Sequence, residues 1–177
     1  MSVVSQYRFE VPAEKDVQFQ IEYTKKVMKQ LDLLTNRYRL EVSSDCPEEL
    51  ALFKQRWQQY KGSQSVVYDD YYQEESIVRH SATIDERIFN FLLTIDDLKV
   101  QWCISTDIVL MAPYQGSTQR CKGSVVFTYN TSMAPTDINH NLYFQLPARL
   151  YSHCREYLLN HLQTSTGCGL QLEEWVW

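Results

Sequence analysis

Cys168 stands in Ser165-Thr166-Gly167-Cys168-Gly169, a thiol between two glycines. Flanking glycines let a backbone come close to a substrate, and consecutive N–H groups can form an anion nest. A nucleophilic cysteine also needs a base to take its proton. His140, His153 and His161 are the histidines that folding can bring to it, with His161 on the helix expected just before the thiol. The spacing matches no thiol-hydrolase signature. A helix stop and a flexible turn with an incidental cysteine accounts for the same residues.

Metal chemistry is not expected. His153 and His161 are eight apart on one expected helix, so they differ by roughly 80° in direction and about 12 Å along the axis. Zinc-binding helices place two ligands at i and i+4. His161, placed on the apolar face, reads as a hydrogen-bonded, partly buried imidazole. The five cysteines at 46, 103, 121, 154 and 168 are odd in number and have no C-x-x-C spacing. That argues against both a disulfide framework and a zinc ribbon. The chain has no Walker loop, G-x-S-x-G, H-E-x-x-H or dinucleotide fingerprint, and its 5 glycines are few for cradling phosphates. No cofactor is expected.

Two aromatic segments offer binding chemistry instead. Tyr68-Asp69-Asp70-Tyr71-Tyr72-Gln73-Glu74-Glu75 is tyrosine-dense and acidic. Its charges suit a guarded strand edge, while Tyr68, Tyr71 and Tyr72 suit a partner-binding strip of rigid rings with polar tips. At the far end, Trp175 and Trp177 are either packed core or an exposed interface anchor. Among the carboxylates, Asp96 and Asp97 read as a turn. Glu86 and Asp107 would face each other at the open end of the expected hairpin, where close carboxylates raise one pKa. Solvation of a fraying end is the simpler account.

The elements that must position these residues follow from periodicity. Tyr7, Phe9 and Val11 alternate with polar residues as a strand does, and Tyr38, Leu40 and Val42 repeat the pattern. Between them, residues 13–34 satisfy both periods. Their Gln, Glu, Lys and Met content favours a helix from about Ala13 to Leu34. A second helix is expected from an Asp45/Glu48 capping box with Pro47 in the first turn. Leu50, Phe53, Trp57 and Tyr60 would form its apolar stripe, and Gly62 its stop. A hairpin around Asp96-Asp97 would pair Ile95 with Leu98, Leu93 with Val100, Phe91 with Trp102 and Phe89 with Ile104. Cys121, Val125, Phe127 and Tyr129 alternate as a further strand. After a loop from Thr131 to Asn141, Pro147 would open a helix carrying Leu150, Cys154, Leu158, His161 and Leu162 on one face, with Gly167 after its end. Leu170, Leu172 and Val176 close the chain as a possible strand.

Together these elements predict an α+β fold, an antiparallel β-sheet with two to three helices packed on it, as a single domain over 1–177. Composition agrees with a folded chain: 44% hydrophobic, 13% aromatic and 22% charged, with 12 Tyr, 7 Phe and 4 Trp. The formal net charge of -5 and the scattered 17 basic residues give no phosphate-binding stripe, so no nucleic-acid partner is expected. The alternating first ten residues do not resemble a leader, and no apolar run is long enough to span a membrane. A cytoplasmic location is therefore expected, and Asn130-Thr131-Ser132 reads as a chance glycosylation match. No family signature is present. The order of strand-rich body, proline-started helix and short tail resembles export-chaperone folds in pattern, without a shared motif. The expected role is a non-enzymatic protein-interaction module, an adaptor, assembly factor or chaperone, binding a protein partner or itself. The alternatives are a small enzyme centred on Cys168 with a histidine base, and a small-ligand binder with a pocket between sheet and helices.

Overall fold

The computed structural model of the protein describes residues 3–14, 16–33, 37–63, 69–73, 77–83, 87–131, 140–147 and 152–176; for residues 3, 61–63, 69–73, 77–83, 87 and 173–176 this covers the backbone alone. The expected positions Leu34, Tyr68, Glu86, Leu150 and Trp177, with most of the expected loop from Thr131 to Asn141, lie outside the described residues.

The chain is α+β. Among the described residues, eight strands are β1 (Val3–Phe9), β2 (Arg37–Ser43), β3 (Asp69–Gln73), β4 (Ile77–Thr83), β5 (Gln101–Tyr114), β6 (Ser117–Asn130), β7 (His140–Pro147) and β8 (Leu170–Val176). They form one sheet in the order β3-β4-β2-β5-β6-β7-β1-β8, every neighbour antiparallel. Four helices accompany it: α1 (Val17–Gln30), α2 (Pro47–Ser63), α3 (Arg87–Leu93) and α4 (Arg155–Thr166), the last preceded by a 3₁₀ turn at Ser152–Cys154. None of the described helices is long and apolar enough to cross a membrane.

Alternation decides which face of the sheet is covered. In β2, Tyr38, Leu40 and Val42 are buried while Arg37, Arg39 and Glu41 are exposed. In β7, His140, Leu142, Phe144 and Leu146 are buried and their neighbours half-buried. These buried rows join Val17, Ile21 and Met28 of α1, Phe53 and Trp57 of α2, Phe89 and Leu92 of α3, and Leu158 and Leu162 of α4 in one core. The helices thus share one face of the sheet. Burying each such side chain is worth about 1.5–3 kcal/mol.

The expected hairpin at 89–104 is corrected. Residues 87–93 are the helix α3, and the chain turns through 94–97 before β5 begins at Gln101. Ile88, Phe89, Phe91, Leu92, Ile95 and Leu98 are all buried, a helical and turn pattern among residues that are mostly apolar. Trp102 and Ile104 pair across the sheet with Tyr129 and Phe127 instead. The actual hairpin is β5–β6, closed by Gln115-Gly116 with φ of 48° and 76°. Positive φ at both loop positions is the type I′ geometry that matches strand twist. Thr131 fastens its base, its backbone N–H donating to Val100 O at 3.0 Å and its hydroxyl to Leu98 O.

Helix ends also move. Asp16 caps α1 by accepting from the N–H groups of Gln18 (2.8 Å) and Phe19 (3.4 Å), so the helix starts at Val17 and not Ala13. It stops at Gln30 because Asp32 takes φ 58° and Leu33 N–H returns to Met28 O at 2.8 Å, a Schellman closure. In α2 the first helical residue is Pro47, which moves the capping position from Asp45 to Cys46. The Cys46 thiol donates to Glu48 at 3.0 Å. The predicted stripe is present, with Leu50, Phe53 and Trp57 buried, but the helix runs through Gly62 to Ser63. Pro147 is the last residue of strand β7, which begins at His140 inside the expected loop, and the next described helix begins at Arg155. Gly167, with φ 70°, does stop α4, its N–H reaching Gln163 O at 2.8 Å.

Candidate functional site

Cys168 follows the left-handed turn at Gly167 and is 4% exposed. Its thiol lies 3.0 Å from the Tyr23 hydroxyl of α1 and also donates weakly to Thr166 O at 3.7 Å. Its backbone N–H donates to Thr166 Oγ1 at 3.2 Å. The hydrogen bond to Cys168, reinforced by burial, pushes the Tyr23 phenol up to about 12. Among the described residues, no histidine is a hydrogen-bond partner of the thiol.

The histidines are elsewhere. His161 is exposed and stacks on Tyr157, with ring centroids 6.4 Å apart. This corrects its expected place on the apolar face. The buried line follows Cys154, Leu158, Leu162 and Thr166 at i+4 steps, and His161 lies one residue off it. His153 Nε2 is 2.5 Å from Gln119 Oε1, and its ring packs 4.1 Å from that of Tyr114. His140, 5% exposed, opens β7.

The two aromatic segments take equivalent places at opposite ends of the strand order. Tyr71 and Tyr72 lie in β3, in register with His80 and Arg79 of β4. Trp175 lies in β8 opposite Val4 of β1. β3 and β8 are the outermost strands. Within β8, Leu172 is 51% exposed although it sits in register with buried Tyr7.

The sheet face away from the helices has a neutral centre. Val126 is 5% exposed there, with half-buried Ser105 and Tyr143 in register on either side and half-buried Cys103 beside Thr128. Burial pushes both the Cys103 thiol and the Tyr143 phenol up to about 12, so each keeps its proton at neutral pH. Around this centre Asp107 meets Arg39 at 3.4 Å and Lys122 at 3.6 Å. Asp107 thus contacts two cations, while Glu86, expected to face it, lies outside the described residues.

Sequence reasoning did not identify one further site. β1, β7 and β8 finish together around a cleft of about 290 Å³ that includes Arg8, Glu10, His140, Asn141 and Gln171. Arg8 Nη2 donates to Gln171 Oε1 at 3.0 Å, and Gln171 Nε2 donates to Glu10 Oε1 at 3.2 Å. The alternation of β1 puts Arg8 on the face away from the core. Nothing local indicates that Gln171, 163 residues later, arrives beside it.

No protein-family model matches the chain, and no characterised relative matches it in sequence.

Proposed function

We propose that the protein is a non-enzymatic interaction module that receives an extended segment of a partner protein along the β8 edge. The observation that carries this is topological. The two segments singled out for their aromatic residues are the two outermost strands of an eight-stranded sheet. An edge offers unpaired backbone groups for strand addition, which supplies affinity, while alternating side chains supply selectivity. Charge at an edge discourages pairing, and both edges carry an acidic pair, Asp69-Asp70 in β3 and Glu173-Glu174 in β8. β8 is the longer of the two, 7 residues against 5, and opens with uncharged Leu170-Gln171-Leu172, of which Leu172 is half in solvent.

Removal of Trp175–Trp177 tests this. The truncated chain should melt cooperatively close to the full chain yet lose binding to peptides selected against the full chain from an extended-peptide library. Unfolding on truncation would make the tail part of the core. Undiminished peptide binding would move the site away from β8, and a native mass of two chains would make the occupant a second copy.

A further inference from the structure

We propose that the cleft at the shared end of β1, β7 and β8 binds a small zwitterion of amino-acid size, carrying one carboxylate, one ammonium group and a short apolar side chain. At about 290 Å³ the cleft lies just under the range of roughly 300–1,000 Å³ in which proteins hold drug-sized molecules. Its walls combine apolar surface from half-buried Val11 and exposed Ala13 with one cation and one anion, Arg8 and Glu10.

The placing of these charges sets the class of ligand. Gln171 spans them, accepting from Arg8 at 3.0 Å and donating to Glu10 at 3.2 Å. The amide therefore holds guanidinium and carboxylate a side chain apart in fixed order. The Glu10 backbone is tied as well, its N–H donating to Gly169 O at 2.8 Å. Its carboxylate rests over the bare backbone of Gly169, where an added Cβ would stand 2.5 Å from Oε2. A simple anion entering the cleft would be attracted by Arg8 and repelled by Glu10, and a simple cation the reverse. A molecule bearing both charges meets a partner at each end, through charge-assisted hydrogen bonds.

Isothermal calorimetry on the full chain tests this with L-leucine and L-phenylalanine as probes. N-acetyl-leucine, which lacks the ammonium, and leucinamide, which lacks the carboxylate, are the comparators. At least one free amino acid should bind saturably, and each blocked form should bind more weakly by roughly tenfold or more. Arg8→Met and Glu10→Gln should each bring a similar loss. Gly169→Ala keeps both charges but displaces the Glu10 carboxylate, and should weaken binding as well. Thermal melts accompany each variant, and if Arg8→Met does not fold, the exposed Glu10→Gln still carries the test. Equal binding of free and blocked forms, or no saturable binding of either amino acid at millimolar concentration, overturns the proposal.

Discussion

Gly123→Ala sets backbone preference against packing. Gly123 lies in β6 opposite Ile108 and beside β7. In a strand, alanine for glycine gains about 0.5–1 kcal/mol by reducing the freedom of the unfolded chain. Here the new Cβ would stand 2.6 Å from Gln145 O and 2.6 Å from Phe144 Cε2. A carbonyl in a ladder cannot rotate aside. Nor can the Phe144 ring, which is fully buried and stacked on Tyr7 at 6.3 Å. Overpacking a tight core costs about 1–3 kcal/mol, and with a backbone atom involved the upper half of that range applies. The net expectation is a destabilisation of about 1–2 kcal/mol. Urea unfolding followed by tryptophan fluorescence should show the midpoint falling by roughly 0.5–1 M at unchanged slope. Phe144→Leu placed on the Gly123→Ala background should cost less than on the parent chain, because it relieves one of the two clashes. An unchanged or raised midpoint for Gly123→Ala would refute the close β6–β7 approach.

Three further outcomes are expected. Gly116→Ala should cost about 1 kcal/mol in the same urea assay. Its φ of 76° disfavours a side chain although nothing lies within 4 Å of the new Cβ, so a neutral result would deny the type I′ turn. Arg56→Met removes contacts to Asp97 at 2.6 and 2.8 Å and to Thr94 O at 2.8 Å. With side chains 32% and 63% exposed, solvent screening limits the loss to about 0.5–1 kcal/mol. The bond from Arg56 holds the Asp97 carboxyl below its usual value. The difference between parent and variant should therefore be full at neutral pH and close as pH falls through that lowered pKa; a pH-independent difference in acid titration would contradict this. The Tyr23 phenol, raised to about 12 from 10.0, contributes stability that is full below pH 10.0 and lost as pH rises towards 12. Tyr23→Phe should abolish that alkaline step in stability, and Cys168 should alkylate more slowly than half-buried Cys46; fast alkylation at neutral pH would instead mark an activated thiolate.

Sequence pattern and structure agree where only one period fits the residues. Arg37–Ser43 alternates charge with apolar side chains and is a strand with that burial. Leu50, Phe53 and Trp57 fit a helix alone and are buried on one. Residues 88–98 are different, because so many of them are apolar that any period finds partners. The warning was Leu92, which strand alternation would turn to the face opposite Phe91 and Leu93 and which is fully buried on α3. The true hairpin was announced by Gln115-Gly116, a weaker turn signal than Asn-Gly, and by oily pairs such as Leu110 with Cys121 and Ile104 with Phe127. Those pairs are visible only once the turn is placed. β7 was hidden because Pro147 suits a helix start as well as a strand end. The cleft was not legible at all, since Arg8, Glu10 and Gln171 are ordinary polar residues until the last strand docks beside the first.

The fold class held although its expected central hairpin did not form, and the reason bears on function. β5 lies in the sheet with β2 and β6 as its partners, and the outermost described strands are β3 and β8. The interaction proposal depends on those ends and not on residues 89–104. β1 joins the cleft to the β8 edge: Arg8 faces Tyr143 of β7 on one side and Gln171 of β8 on the other. A ligand held between Arg8 and Glu10 would brace Gln171 and thereby the first residues of β8, the uncharged part of the edge. Occupancy of the cleft and strand addition at β8 therefore share one structural element, and amide exchange of Leu170–Leu172 should slow when either site is filled. If filling the cleft left those amides unchanged, the two sites would have to be treated as independent.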